Sequence, residues 1–457
     1  MRRPFTLPAA LGLVACCATA AAFVLGGDGT TVARVPAAIA ATTSSSTVTP
    51  TSPSSTTPPL DPAGLGALRT HLDGVWSQTS KPSSSCLMVL HGDEVLFERN
   101  PDLAVTPAST MKLLTATAVL ARIDAHERLR TPVLAAAMPV DGVVHGDLYL
   151  VGGGDPVLGT VDWAAHFERQ PRLFTSIESL ADRIVGRGVR EIRGRIVGDD
   201  GRYDGERYVA SWPARYRANN VTGRLSALSV NDGFAVWDRR AAADIPWDDP
   251  PRDAAAVLTA LLRARGVIVS GEPAAGAVAS GSVELAAVDS PTIGHLVEAM
   301  LEDSDNGTAE LLVKELGLRF GGEGTTAAGA AVVADTLTEL GLPMRDVVVR
   351  DGSGLDPGNR ITCRLLAAIL NDAEADGSIV AGLPVAAQTG TLYKRFLATP
   401  VAGRLRAKTG WIGGVASLAG YADGPTGVLT FAQVLNGVGK TDGQRVQDSL
   451  GAALVGA

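Results

Sequence analysis

The segment TPASTMKLLTATAVL, residues 106–120, constrains this chain more than any other, because it predicts an apolar helix that opens on Ser109 and Lys112. Thr106 can cap such a helix and Pro107 suits its first position, so Ser109 is expected in the first turn. Residues three apart share a helix face, and we expect the two side chains to touch. A serine hydroxyl needs a base within hydrogen-bond reach, and a desolvated lysine can lose its proton and serve. The pair therefore predicts an activated serine.

Lysine is scarce in this sequence. Only six occur, at positions 81, 112, 314, 394, 408 and 440, and arginine supplies the rest of the 40 basic residues. Arginine does not deprotonate in proteins, so it cannot replace lysine as a base. Lys112 and Lys408 are therefore candidates for lysine chemistry, although S-x-x-K alone also occurs on ordinary solvated helix faces.

Two further short motifs follow the serine in a fixed order, S-D-N from Ser304 to Asn306 and K-T-G from Lys408 to Gly410. Each motif alone has an ordinary structural reading, as a helix cap or as a strand end. In this order after S-T-M-K at Ser109 they resemble the penicillin-recognising serine acyltransferases, which include D-alanyl-D-alanine peptidases and serine β-lactamases. The ordered triple is the strongest functional signal in the chain.

Acyl transfer suggests a role for each motif. Ser109 would attack an amide carbonyl, with Lys112 as the base. Ser304 would relay a proton to the leaving amine, and Asn306 would hydrogen-bond the amide of the substrate. Lys408 would supply positive charge near a terminal carboxylate. These five residues are the predicted catalytic set.

The rest of the K-T-G segment is expected to bind substrate. Thr409 offers a hydroxyl to the terminal carboxylate, and Gly410 completes the motif. By resemblance, the backbone N–H of Trp411 forms an oxyanion hole with that of Ser109, since a helix start and an edge strand both present free donors. A small residue or threonine is more usual in place of Trp411, so its ring is expected to reshape the substrate groove.

The spacing of the motifs narrows the family. Ser304 lies 195 residues after Ser109, and an α/β unit at 142–286 fills the interval. The pattern resembles the low-molecular-mass class C penicillin-binding proteins, the D-alanyl-D-alanine carboxypeptidase/endopeptidase group, as do LVGGGDPVL, SALSVND, RDGSGLD, GLPVAAQTGTL and AKTGWIGGVASLAGY. The resemblance implies an α+β fold, in which a penicillin-binding domain at 61–141 and 287–457, with an antiparallel sheet flanked by helices, receives the inserted α/β domain.

Two expectations concern the inserted domain. Asp199 and Asp200 follow one of its strands, and the resemblance suggests that acids there bind the free amine of a diaminopimelate side chain; a solvated strand end is the alternative. Many family members also carry a third small domain after the segment that matches SALSVND. Only about twenty residues, Gly233 to Arg252, precede the next predicted helix here, so the third domain is expected to be absent.

Hydrophobic patterning predicts which helices, strands and loops carry the motifs. CLMVLHGDEVLFERN predicts a hairpin that turns at Gly92 and Asp93, just before the Ser109 helix. The last hundred residues predict three successive strands, the first carrying K-T-G, and a closing helix. The loop from Asp351 to Gly354 is expected to border the site, with its glycines serving the turn. Further helices are expected at 62–76, 175–188, 292–302 and 362–373.

Two segments precede the part that is expected to fold. Residues 1–26 begin with Met-Arg-Arg and continue as a mostly apolar run, which predicts a signal peptide or an uncleaved membrane anchor. Residues 27–60 form a Ser/Thr/Pro-rich linker. Export to the periplasmic or cell-wall side is expected in either case. Cys86 and Cys363 are the two cysteines of the exported part, where they either pair or stay free.

The favoured function is an exported serine D-alanyl-D-alanine carboxypeptidase, with endopeptidase activity as a possible addition, that cleaves peptidoglycan stem peptides and is acylated by β-lactams. A net charge of −8 argues against nucleic acid as a partner, and no clustered His/Cys set indicates a metal, so no cofactor is implied. A serine β-lactamase is the nearest alternative, although the E-x-x-L-N string of class A enzymes is absent. A catalytically inactive wall-binding or sensor module is the third reading. The sequence leaves the oligomeric state open.

Overall fold

The computed structural model describes residues 62–237, 244–374, 377–425 and 427–456. The predicted signal peptide or anchor at 1–26 and the linker at 27–60 lie outside the described residues. Within those four ranges, no helix is both long enough and apolar enough to cross a membrane.

Helices and strands are interspersed in the described chain as far as residue 292, after which five helices, three strands and a closing helix follow. The helices are α1 (Pro62–Ser77), α2 (Met111–Arg122), α3 (Val161–His166), α4 (Ile177–Gly186), α5 (Ala214–Ala218), α6 (Pro250–Ala264), α7 (Ile293–Asp303), α8 (Asn306–Phe320), α9 (Thr326–Glu339), α10 (Cys363–Asp372), α11 (Ser378–Ala381) and α12 (Lys440–Val455). The strands are β1 (Ser85–His91), β2 (Glu94–Arg99), β3 (Arg128–Ala135), β4 (Val143–Val144), β5 (Leu148–Val151), β6 (Leu158–Gly159), β7 (Thr175–Ser176), β8 (Glu191–Ile192), β9 (Ile196–Asp199), β10 (Phe234–Val236), β11 (Ile245–Pro246), β12 (Ile268–Val269), β13 (Ala274–Ala275), β14 (Val283–Thr292), β15 (Leu405–Ile412), β16 (Val415–Gly424) and β17 (Gly427–Asn436).

The first sheet is antiparallel, with the strand order β15-β16-β17-β1-β2. It joins the predicted C-terminal meander to the predicted hairpin, because β17 pairs with β1. Successive side chains point to opposite faces of a strand. Met88 and Val434 accordingly pack against the layer that contains α2, α8 and α10, whereas Leu87 and Phe431 pack against α1 and α12. Both faces of the sheet are therefore covered by helices, and the K-T-G strand β15 lies at its edge.

A second, mixed sheet has the order β13-β9-β5-β3-β14. Strand β9 runs parallel to β5 and β13, whereas β3 runs antiparallel to β5 and β14. Helices α4 and α6 share an apolar core with this sheet and with the parallel strands β12, β8 and β4. Strand β3 precedes residue 142 and β14 continues past residue 286. We therefore propose that the inserted unit extends from β3 to β14.

The segment expected in place of a third domain is short. Strands β10 and β11 pair with each other, and residues 238–243 between them lie outside the described ranges. Helix α6 follows directly after this pair, beginning at Pro250.

A disulfide joins the first sheet to the helical layer. Cys86 on β1 is bonded to Cys363, the first residue of α10, and their Cα atoms are 5.9 Å apart. Both residues are fully buried and 277 positions apart in sequence. The structure thus selects the paired alternative of the two that the sequence left open.

Candidate active site

The turn that carries Ser109 differs from the predicted helix start. Ser109 lies in a 3₁₀ turn, Ala108–Thr110, immediately before α2. The backbone N–H of Thr106 donates to Oδ1 of Asn436 at 3.0 Å, and its C=O accepts from Nδ2 of the same side chain at 3.0 Å. The Thr106 hydroxyl is bonded to Arg360 at 3.2 Å and caps no helix. The predicted cap is wrong because β17 holds this segment outside the helix.

The backbone before the nucleophile is strained and closely packed. Ala108 is fully buried with φ 52°, a left-handed conformation that is unfavourable for any residue with a Cβ. Gly354 packs so closely against Ala108 that a Cβ on the glycine would lie 1.9 Å from the alanine carbonyl oxygen. The hydroxyl of Ser417 donates to the carbonyl of Pro107 at 2.7 Å. These contacts hold Ser109 in position before any substrate binds.

The amine of Lys112 is fully buried and has three oxygen neighbours. Its Nζ lies 3.2 Å from Oγ of Ser109, 2.8 Å from Oδ1 of Asn306 and 2.8 Å from the carbonyl oxygen of Ser353. A neutral amine has two N–H donors and one lone pair. The amide and carbonyl oxygens take the two donors, so the lone pair of neutral Lys112 faces the Ser109 hydroxyl. This is the geometry that a general base for Ser109 requires.

Burial sets the protonation of both motif lysines. Desolvation lowers the pKa of Lys112 to about 8, although the nearby charges of Asp305, Asp351 and Glu310 oppose the shift. Burial, together with the positive charge of Lys112, holds the pKa of Lys408 well below its usual value. A fraction of Lys112 is therefore neutral near pH 7.

The S-D-N motif links two helices. Ser304 ends α7 in a left-handed conformation with φ 60°, and the carboxylate of Asp305 caps the start of α8. Asn306 is the first residue of α8; besides accepting from Lys112, it donates from Nδ2 to the carbonyl of Val221 at 3.0 Å. Across the described ranges, no hydrogen bond joins Ser304 to either member of the Ser109 and Lys112 pair. The structure thus brings Asn306 to the nucleophile, and the proton-relay role of Ser304 stays a prediction.

The K-T-G strand is partly covered along its edge. Residues 384–386 form backbone hydrogen bonds with the first part of β15. The last of these bonds joins the N–H of Ala407 to the carbonyl of Pro384 at 2.9 Å. From Lys408 to the end of β15, no other described segment pairs with this edge. The open edge therefore begins at the motif, where an extended substrate can lie beside it.

The two hydroxyls at the motif lie together. Nζ of Lys408 donates to the carbonyl of Thr409 at 2.9 Å, and the hydroxyl of Thr409 is 2.6 Å from that of Thr391. Lys408 is fully buried, so its amine contacts the backbone of the motif from within the protein and not from the solvent.

Gly410 is required by the approach of β15 to the nucleophile. A Cβ at this position would lie 2.1 Å from Oγ of Ser417 and 2.9 Å from the backbone nitrogen of Ser109. Trp411 follows, and the residue is 38 % exposed. The predicted oxyanion hole needs the N–H groups of Ser109 and Trp411, and these two backbone segments are adjacent here.

The carboxylates of Asp199 and Asp200 both have hydrogen-bonding partners in the inserted unit. Asp199 accepts from the backbone N–H groups of Gly201 at 2.8 Å and Val278 at 2.6 Å. Asp200 accepts from the Ser226 hydroxyl at 2.8 Å and pairs with Arg207. A substrate amine would have to compete with these partners, and the predicted amine-binding role stays a prediction.

The loop from Asp351 to Gly354 does border the site, but sequence reasoning missed the contacts of three residues that position it. The carbonyl of Ser353 orients Lys112, the hydroxyl of Thr391 meets that of Thr409, and Asn436 holds the segment before Ser109. Ser353 lies within RDGSGLD and Thr391 within GLPVAAQTGTL. These two segments resemble segments of the family, but nothing in them indicates these contacts. The third, Asn436, ends β17, and no local signal marked it.

A buried carboxylate supports the loop that presents Ser353. Glu310 is fully buried on α8, and its Oε1 accepts from the backbone N–H groups of Gly352 at 3.1 Å and Ser353 at 2.8 Å. Asp351, at the start of the same loop, is also fully buried. Desolvation is the main cause that raises the pKa of Glu310 to about 8, and the neighbouring Asp351 charge adds to it.

In the described part of the chain, no group of His, Cys, Asp and Glu side chains could hold a metal ion.

Similarity to known proteins agrees with this site. The D-Ala-D-Ala carboxypeptidase 3 (S13) family matches residues 68–243 and 228–455. A D-alanyl-D-alanine carboxypeptidase of Actinomadura sp. is 30 % identical over 438 residues, which is 79 % of this chain and 79 % of the relative. The carboxypeptidase DacB of Mycolicibacterium smegmatis is 30 % identical over 379 residues, covering 79 % of this chain and 77 % of its own length.

Solved structures confirm the predicted fold. The crystal structure of penicillin binding protein 4 from Haemophilus influenzae superimposes with a TM-score of 0.70 at 18 % identity, covering 84 % of this chain and 99 % of that one. The same protein complexed with a β-lactam matches with a TM-score of 0.62, covering 83 % of this chain and 98 % of its own. With the three motifs assembled on this fold, and with the family matched over most of the chain, the protein belongs to the D-Ala-D-Ala carboxypeptidase 3 (S13) family of serine peptidases.

Proposed function

We infer that this chain is a serine D-alanyl-D-alanine carboxypeptidase that trims peptidoglycan stem peptides through an acyl-enzyme on Ser109. The observation that carries the inference is the environment of Lys112, whose fully buried amine lies 3.2 Å from Oγ of Ser109 and is oriented by two carbonyl-type oxygens. Such an amine can be neutral at working pH and can accept the serine proton. A solvated lysine could do so only at much higher pH.

The reaction follows from this geometry. Neutral Lys112 takes the proton of Ser109, whose Oγ attacks the carbonyl of the penultimate residue while backbone N–H groups of Ser109 and Trp411 stabilise the oxyanion. The C–N bond breaks as the leaving amine receives the proton that Lys112 took from Ser109, with Ser304 as the proposed relay, and Lys112 is neutral again. Water then hydrolyses the ester, with Lys112 again as the base, and Ser109 is regenerated.

Substrate binding is assigned to the open edge of β15. The peptide would lie along this edge, with Asn306 bonding its amide and with Lys408 and Thr409 beside the carboxylate of the leaving residue. Release of a terminal D-alanine is carboxypeptidase activity. Release of a residue that belongs to a neighbouring stem peptide would be endopeptidase activity, which we propose as an additional function. Because peptidoglycan stem peptides are the proposed substrate, we propose that this enzyme works on the periplasmic or cell-wall side.

The test is the intact mass of the protein after mixing with benzylpenicillin, followed over time beside Ser109→Ala, together with release of D-alanine from a stem pentapeptide. We expect a long-lived penicilloyl adduct on the wild type alone, and D-alanine release that the substitution abolishes. Rapid loss of the adduct with turnover of the drug would indicate a β-lactamase. A protein that forms no adduct and releases no D-alanine would be better described as a wall-binding module.

A further inference from the structure

The segment between β9 and β10 belongs to the inserted unit, but two of its residues bond to side chains of the penicillin-binding domain at the active site. The carbonyl of Val221 accepts from Nδ2 of Asn306 at 3.0 Å, and Oδ1 of the same asparagine bonds to Lys112. The indole N–H of Trp212 donates to Oδ2 of Asp351 at 2.8 Å. The inserted unit thus contacts two groups that lie around the buried amine.

The carboxylate of Asp351 anchors its own loop. It is fully buried and accepts hydrogen bonds on both oxygens. Three donors come from later residues of the loop, namely the backbone N–H groups of Gly354 at 2.9 Å and Asp356 at 2.6 Å, and Nδ2 of Asn359 at 2.7 Å. Among the described residues, the indole of Trp212 is the one donor to this carboxylate from another part of the chain. It therefore fixes the loop to the inserted unit.

The same loop contacts helix α2 through two consecutive carbonyl groups. The carbonyl of Ser353 accepts from Nζ of Lys112 at 2.8 Å, and that of Gly352 accepts from the hydroxyl of Thr115 at 2.8 Å. Asp351 directly precedes these two residues, so a shift of its backbone displaces the carbonyl that orients the lysine. A continuous set of contacts therefore joins the inserted unit to the amine of Lys112.

Burial makes the bond between Trp212 and Asp351 costly to lose. Trp212 is 8 % exposed, and its indole nitrogen can only donate. Desolvation raises the pKa of Asp351, and the hydrogen bonds to its carboxylate, that of Trp212 among them, oppose this shift. A hydrogen bond to a charged group is stronger than one between neutral groups, and a buried acceptor that loses its donor bears the cost of desolvation. Loss of the indole N–H should therefore displace the loop.

We propose that Trp212 is a positioning residue for Lys112, on which it acts through Asp351 and the carbonyl of Ser353. The inference rests on the proposed function, in which Lys112 is the base for Ser109, and it adds the inserted unit to the groups that place this base. A displaced Lys112 slows both steps that need the base, acylation and hydrolysis of the ester. The open edge of β15, where the peptide is expected to lie, keeps its contacts. The turnover rate therefore falls while binding of the peptide is preserved.

The experiment measures kcat and KM for release of D-alanine from a stem pentapeptide. Trp212→Phe removes the indole N–H and keeps an aromatic ring. We expect kcat to fall about tenfold or more, as for loss of a hydrogen bond to a charged group and displacement of a catalytic side chain, with KM within about threefold of wild type. Benzylpenicillin should still acylate every molecule of the variant, only more slowly, which reports correct folding.

Trp247→Phe is the matched control. The indole N–H of Trp247 donates to the carbonyl of Val230 at 3.2 Å, inside the inserted unit, so its removal should leave kcat and KM unchanged. Asp351→Asn tests the route of the effect, because Trp212→Phe should add no further loss of kcat in a chain that already carries Asp351→Asn.

Three results would overturn the positioning role and leave the carboxypeptidase function intact. They are a smaller loss of kcat in Trp212→Phe, an equal loss in Trp247→Phe, and losses that add in the double variant of Trp212 and Asp351. Failure of wild type to release D-alanine would overturn the proposed function as well.

Discussion

Replacement of Lys112 by arginine separates the base from the positive charge. Arginine keeps the charge and the hydrogen-bond donors of lysine, but it does not lose its proton in proteins. Burial lowers the pKa of Lys112 to about 8. At pH 7 about one tenth of the amine is then neutral, against about 3 in 10,000 for a lysine with the ordinary value. Burial thus raises the neutral fraction of Lys112 at pH 7 by about 300-fold, which corresponds to about 3 kcal/mol.

The assay is the second-order rate of Ser109 acylation by benzylpenicillin, measured from pH 5.5 to 9.5. Because the neutral amine is the active form, the wild-type rate should rise about tenfold per pH unit and level off near pH 8. Lys112→Arg should lose about 10³-fold or more at pH 8, in the range found for other activated-serine sites. Any pH dependence that remains in this variant belongs to another group, of which Lys408 is the nearest candidate. A wild-type profile that is flat below pH 8, or an arginine variant within tenfold of wild type, would refute this role of Lys112.

Three further predictions test other parts of the structure. Gly410→Ala should slow acylation by about 100-fold, because its Cβ would lie 2.1 Å from a serine hydroxyl of the adjacent strand. Gly413→Ala has room for a Cβ and should be acylated at the wild-type rate. Equal acylation rates in the two variants would contradict this account of Gly410. Replacement of both Cys86 and Cys363 by alanine should lower the free energy of unfolding by up to about 5.6 kcal/mol in denaturant titrations, from the closed loop of 277 residues; a loss under about 1 kcal/mol would argue against that account. Glu310 is partly ionised near its own pKa of about 8, and its negative charge then raises the pKa of Lys112. Glu310→Gln should therefore move the midpoint of the acylation profile to slightly lower pH, and a move to higher pH would show the opposite coupling.

Much of the fold and of the catalytic set could be predicted because the signals are local or periodic. The hairpin of β1 and β2, the three C-terminal strands and the closing helix follow from alternating and helical patterns and from turn residues, and the structure has all of them. The pairing of Ser109 with Lys112 follows from a spacing of three on helical backbone, and the two side chains do meet. The detail that failed is the helix cap at Thr106, because a side chain 330 residues away competes for that backbone.

The sequence by itself therefore determined which residues are the candidates for the chemistry, in what order they occur and which family the chain resembles. Only the tertiary structure decided what suits Lys112 to the proposed role of base: its complete burial, and the approach of Asn306 and the Ser353 carbonyl from 194 and 241 residues away. It also decided the Cys86–Cys363 bond and which part of the β15 edge the other described segments leave open. Desolvation and long-range contact depend on which surfaces are packed together, and such packing leaves no signal in the residues that flank each group.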